Sequence, residues 1–177
     1  LGLPSQADLT QALADKGQPP DHCLPRRSGP PLKLAMAQHM QDTLPRIYAA
    51  NYPTGPYSPE AGPIGKRALA NSVLALGSRL DGGKAAQEQY DSADNMTQQL
   101  SALACLLQEN VGEKALTAFY EQWKHDRLVM DKWFGLQVSY AAPQDAAKVA
   151  ERLTQHRDFD HKNPNRFRAT LGALTMH

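Results

Sequence analysis

The sequence predicts an all-α fold: an open superhelix of antiparallel helix pairs, or else a closed bundle of the same elements. Three observations carry the helical part. Leu (22) and Ala (25) outnumber Val (5) and Ile (2) by 47 to 7, and helices are cheap for the first pair while strands draw on the second. Apolar residues recur at helical intervals in six separate stripes. Almost no stretch alternates with period two.

The elements follow in order. Ser5 with Asp8 has capping-box spacing and opens a helix running to about Lys16. Residues 17–31 hold five prolines, two glycines and no periodicity, and read as an irregular Pro-rich loop. Met36, Met40, Leu44 and Ile47 form the first stripe, and Pro45 within it should kink or divide that helix. Ser58-Pro59-Glu60 reads as a cap, a first-position proline and a dipole-favoured acid. It precedes the stripe Leu69, Val73, Leu76 and Leu80, which Asp81-Gly82-Gly83 stops. Met96, Leu100, Leu103 and Leu107 end at Asn110-Val111-Gly112. Leu116, Phe119 and Trp123 come next, then Val129, Trp133 and Leu136. Ala142-Pro143-Gln144-Asp145 starts the helix carrying Ala146, Val149 and Leu153, and Asn163-Pro164 starts the last. The sum is about eight or nine helices with short links.

Composition narrows the functional class. Nineteen basic against 18 acidic residues give a formal net charge of +1 over 177 residues. That balance argues against nucleic-acid binding driven by bulk charge, because phosphate recognition needs many cations on one face. No apolar run reaches membrane-helix length, and the start at Leu1-Gly2-Leu3-Pro4-Ser5 has no signal-peptide pattern. Two distant cysteines, Cys23 and Cys105, make neither a disulfide framework nor a zinc cluster, which points to a cytoplasmic setting.

Chemistry-bearing motifs are scarce. The six histidines contain no HExxH, and no GxSxG, P-loop or GxGxxG occurs. His156 and His161 flank an acidic run that reads as a solvated, charged turn rather than a metal site. Cys105, within Leu103–Leu107, reads as a small buried hydrophobe. Phe119, Tyr120, Trp123, Trp133 and Phe134 read as the densest part of the core. Lys162, Arg166 and Arg168 open a helix, an arrangement suited to a carboxylate or phosphate. A solvated basic turn is the plainer reading of the same residues.

Two stretches go beyond generic helix. Residues 118–126 (AFYEQWKHD) followed by 128–134 (LVMDKWF), and His156-Arg157-Asp158-Phe159 leading into Asn163-Pro164-Asn165-Arg166-Phe167-Arg168, occur in order. Together they resemble the C-terminal helical domain of the bacterial aminopeptidase N family, M1 zinc metallopeptidases. Tyr57–Ala61, Arg67–Leu69 with Asn71, Ala93–Thr97 and Leu1–Ser5 match more weakly, so the likeness spans most of the chain. Residues 17–31 depart from the family, and its HExxH and GxMEN motifs are absent.

The resemblance implies that residues 1–177 are part of one armadillo- or HEAT-like superhelix, truncated at both ends. It implies a chamber wall that packs against the catalytic domain of the same polypeptide and restricts entry of peptide substrates. Zinc belongs to the parent enzyme, with no cofactor in this piece, which is expected to be inactive alone. The family's cavity-facing arginine matches Arg168, which is therefore expected to contact substrate; Arg166 is expected to be structural. The contrasting expectations are an independent helical-repeat interaction module, or a nucleic-acid binder using Lys162–Arg168. Apolar faces left uncovered in a cut superhelix should make the isolated chain self-associate or fray at its terminal helices.

Overall fold

The computed structural model describes residues 6–17 and 23–175, of which 6–10 and 23–30 are described by backbone alone. No strand occurs among these residues, and helices account for the regular structure. The contacts divide the chain into two compact units, residues 1–85 and 86–177, where the sequence suggests part of one domain.

The first unit holds α1 (Gln6–Asp15), α2 (Cys23–His39), α3 (Leu44–Asn51) and α4 (Ala61–Asp81). Ser5, the expected cap of α1, lies outside the described residues, as do 18–22. From Cys23 the backbone is helical, so the irregular segment expected over 17–31 gives way to α2 halfway through. Pro25 falls in the first turn, where backbone N–H groups have no intrahelical partner and a missing donor costs nothing. Pro30 and Pro31 lie deeper and each removes one helical hydrogen bond. Pro45 behaves as its chemistry requires: α2 ends at His39, and α3 restarts with Pro45 in its first turn. Ala37, Leu44 and Val73 form the buried centre, with Met40, Ile47, Tyr48, Leu69 and Leu76 packed around it. The first two stripes therefore pack on each other, α2 and α3 both lying against α4.

Helix α4 begins at Ala61, three residues after the expected Ser58 cap. The Ser58 carbonyl accepts a hydrogen bond from Arg67 Nη2 at 2.8 Å, and the same guanidinium stacks 4.7 Å from the Tyr57 ring centre. A buried arginine thus holds the Tyr57–Ser58 segment against the helix, and Pro63 instead of Pro59 occupies the first turn. Gly82 closes α4 with φ +64°, a conformation that favours glycine. The adjoining Asp81 carboxylate accepts from the backbone of Gly83, Lys84 and Ala85 at 2.9–3.1 Å.

The second unit takes up α5 (Lys84–Ser92) from its third residue and runs through α6 (Met96–Gln108), α7 (Glu113–Trp123), α8 (Arg127–Ser139), α9 (Ala146–Thr154) and α10 (Pro164–Phe167). A π turn over Arg168–Gly172 follows, a feature no pattern in the sequence predicts. Asn95, Asp126 and Asn163 cap α6, α8 and α10 by accepting backbone N–H bonds. Helix α8 is the hub, touching α7, α9, α10 and the π turn. Phe119 of α7, Phe134 of α8 and Leu103 and Leu106 of α6 are the largest fully enclosed side chains of this unit, and Cys105 is buried as expected. Side-chain amides stitch α6 to α7: Gln99 Nε2 donates to Gln122 Oε1 at 2.9 Å, and Trp123 Nε1 donates to Gln99 Oε1 at 3.0 Å.

Candidate functional site

The conspicuous polar assembly of the second unit lies where α7, α8 and the 155–163 link converge. It begins with the aromatic residues of the two family-like stretches. The His156 ring sits 5.3–5.5 Å from the ring centres of Tyr120, Trp133 and Phe134. Its Nδ1 accepts the backbone N–H of Asp158 at 3.2 Å, which leaves Nε2 to carry the ring proton of the neutral form. Burial is the main cause of a His156 pKa below its ordinary value. The Asp158 carboxylate opposes that shift, while Arg157 and Arg166 reinforce it.

Around this ring runs a chain of hydrogen bonds. Tyr120 Oη donates to Asp158 Oδ2 at 2.6 Å and accepts from Arg157 Nη2 at 2.8 Å. Phe159 is buried against Phe134, with ring centres 5.7 Å apart. The turn expected to be solvated is therefore half built into the core. The reason is that its histidine and phenylalanine have aromatic partners from α7 and α8.

Arg166 is the most enclosed cation of the assembly, at 4% exposure. Its Nε donates to Asp131 Oδ1 at 2.5 Å. Nη1 donates to the Asp158 carbonyl and Nη2 to the Arg127 carbonyl at 3.2 Å. The plane lies 4.7 Å from the centre of the Phe134 ring. A buried guanidinium satisfied on every side is a structural clamp, as expected of Arg166.

Arg168, the expected substrate contact, stands differently. It is the first residue of the π turn, and its side chain is exposed. Its guanidinium has no hydrogen-bond or ion-pair partner among the described residues. Lys162 is likewise exposed. The basic run is thus divided by burial: Arg166 is consumed by the fold, and Arg168 is left with its paired donors facing water. Such a fork suits a carboxylate or a carbonyl.

Asp131 and Asp158 carry no sequence signal as site residues, because a lone aspartate inside an amphipathic helix or a turn looks like any solvated acid. Their partners lie 35 residues away for Asp131 and 38 for Asp158. No group of three His, Cys, Asp or Glu side chains among the described residues could hold a metal ion. These residues do not fit a zinc site.

Fold and site together define an all-α helical-repeat module with an aromatic, arginine-clamped corner. Over residues 1–177 the chain belongs to the family described as a domain of unknown function, DUF3458_C, ARM repeats. It is homologous to the C-terminal region of aminopeptidase N from several bacteria. Identity is 33% over 179 residues with the Caulobacter vibrioides protein, covering 98% of this chain and 20% of that one. With the Haemophilus influenzae protein it is 30% over 184 residues, covering 100% and 20%. With the Escherichia coli protein it is 36% over 151 residues, covering 81% and 17%. The chain thus spans about a fifth of the length of these relatives. The solved Legionella pneumophila aminopeptidase A, crystallised with aspartic acid, shares the fold at TM-score 0.83 and 24% identity. That match covers all of this chain and 22% of the solved one.

Proposed function

We propose that this chain is the chamber-wall, substrate-access part of a zinc-dependent M1 aminopeptidase that removes N-terminal residues from peptides. The observation that carries the reading is the likeness of nearly the whole chain to the C-terminal region of aminopeptidase N, about a fifth of that protein. In this reading the zinc and the reacting groups belong to a catalytic domain of the same polypeptide, and the enzyme works in the cytoplasm. The chain itself has no chemistry to perform and is inactive alone. Among the described residues no helix is long and apolar enough to cross a membrane.

The contribution of this chain is binding and exclusion. Arg168 is the substrate-contacting residue: its free fork donates two parallel hydrogen bonds to a peptide carboxylate or carbonyl on the side of the chamber away from the metal. Rigid helices around it keep bulky, folded chains out.

Replacing Arg168 by Ala in the complete enzyme is expected to raise KM, or lower kcat/KM, for peptides by about tenfold, a typical loss for a charged hydrogen-bonding partner. Zinc content should not change. Unaltered peptide kinetics would remove Arg168 from the substrate site. The wider reading has its own check: with zinc and aminoacyl reporters this chain should release nothing, and turnover would overturn it. An upstream coding frame containing HExxH would support it, and an independent helical-repeat adaptor would lack one.

A further inference from the structure

Arg168 is set between two buried anchors, Arg166 and Thr170, and the first of them is held by α8. Arg166, two residues before it, is buried and held by the Asp131 carboxylate and the Arg127 carbonyl. Thr170, two residues after it, is fully buried and donates its hydroxyl to the Arg166 carbonyl at 2.9 Å. Between them, Ala169 rests on Gly135: a β-carbon placed on Gly135 would lie 3.0 Å from the Ala169 carbonyl oxygen and 3.6 Å from its methyl. Arg127, Asp131 and Gly135 are spaced four apart, so they form a single stripe along α8.

The π turn fits this arrangement. A π turn widens the helix by one residue and is frequently found at functional sites. Here it lies over Arg168–Gly172: the segment contacts α8 through Arg166 and Ala169, Thr170 is buried, and Arg168 stays in solvent.

We infer that Asp131 and Gly135 are positioning residues for Arg168: through Arg166 and Ala169 they set where its guanidinium stands for the peptide. The inference rests on the proposed role of Arg168 and assigns none of the reacting chemistry to α8. Asp131 fixes the segment through charge and hydrogen bonding. Gly135 fixes it by having no side chain, so that the backbone of the turn can approach. A displacement of about 1 Å at a binding group is enough to cost tenfold or more.

The test is a double-mutant cycle in the complete enzyme, with tripeptide hydrolysis as the readout. Asp131→Asn and Gly135→Ala are each made in the parent and in an Arg168→Ala background. The expected result is a KM increase of about tenfold for Asp131→Asn and several-fold for Gly135→Ala, with kcat little changed, and less than twofold in the Arg168→Ala background. Equal losses in both backgrounds would mean a general structural role and would overturn the inference. Parent-like kinetics of both variants, while Arg168→Ala is impaired, would overturn it and leave the Arg168 reading standing. An unimpaired Arg168→Ala variant would remove that reading and this inference together. Gly135→Ala keeps the cycle decisive if Asp131→Asn does not fold, since the change is a single methyl.

Discussion

At the scale of single residues, His156 is the group whose protonation the fold resists. Its Nδ1 is an acceptor for the Asp158 N–H, and three aromatic rings take the place of water around it. The pKa in the folded state lies below the ordinary 6.5, chiefly through burial. The unfolded chain therefore takes up this proton first as pH falls. Stability from the neutral ring is complete above about pH 6.5, and it is lost as pH drops from there through the lowered value. Urea midpoints measured from pH 8 to pH 5 should decline below about 6.5, and His156→Asn should flatten that part of the curve. An identical decline in the variant would place its cause elsewhere. Tyr90 shows the same physics in a phenol: it donates to the Ala115 carbonyl at 2.8 Å, and burial lifts its pKa to about 12.

At the scale of elements, α7 and α8 carry the second unit. Phe119 is fully buried in α7, 6.3 Å ring to ring from Trp123. Truncation to Ala should cost about 3–5 kcal/mol, the range for a large core aromatic. The cap of α10 is a smaller term of a different kind. Asn163 Oδ1 accepts the N–H groups of Asn165 at 3.0 Å and Arg166 at 3.4 Å. Asn163→Ala should cost about 1 kcal/mol. Equilibrium unfolding of the two variants would check both values, and a cap effect equal to the core effect would refute the ranking. The cap matters out of proportion to its energy, because it starts the short helix that delivers Arg166 to Asp131.

At the scale of the whole molecule, several large apolar side chains face water. Leu128 is 71% exposed, Tyr57 54%, Val111 52%, and Ile64 and Phe167 48% each. Such side chains usually lie against a neighbour in helical-repeat proteins, whose repeats bury apolar surface on one another. The isolated chain is expected to self-associate, with sedimentation coefficients rising with concentration. A single monomer boundary at every concentration would contradict that. Replacing Leu128, the most exposed of them, by Lys should weaken the association.

Much of this was legible in the chain because it depends on neighbours in sequence. The scarcity of β-branched residues, the helical stripes, the Pro45 break, the Gly82 stop and the Asn163 cap are local matters, decided by propensity and capping within a few residues. The family was also legible, since its motifs are contiguous. The family resemblance already separated a structural Arg166 from a substrate-facing Arg168, but only the tertiary structure supplied the partners that bury Arg166: the Asp131 carboxylate and the carbonyls of Asp158 and Arg127. Tertiary structure also turned 155–163 from a wet turn into part of an aromatic cluster, inserted the π turn, and laid α2 across prolines that locally disfavour a helix. Each of these depends on partners that the chain brings together only by folding: Asp131 for Arg166, Gly135 for Ala169, and Tyr120, Trp133 and Phe134 for His156. Pair energies of that kind have no signature in spacing, because the partners share a surface rather than a stretch of sequence.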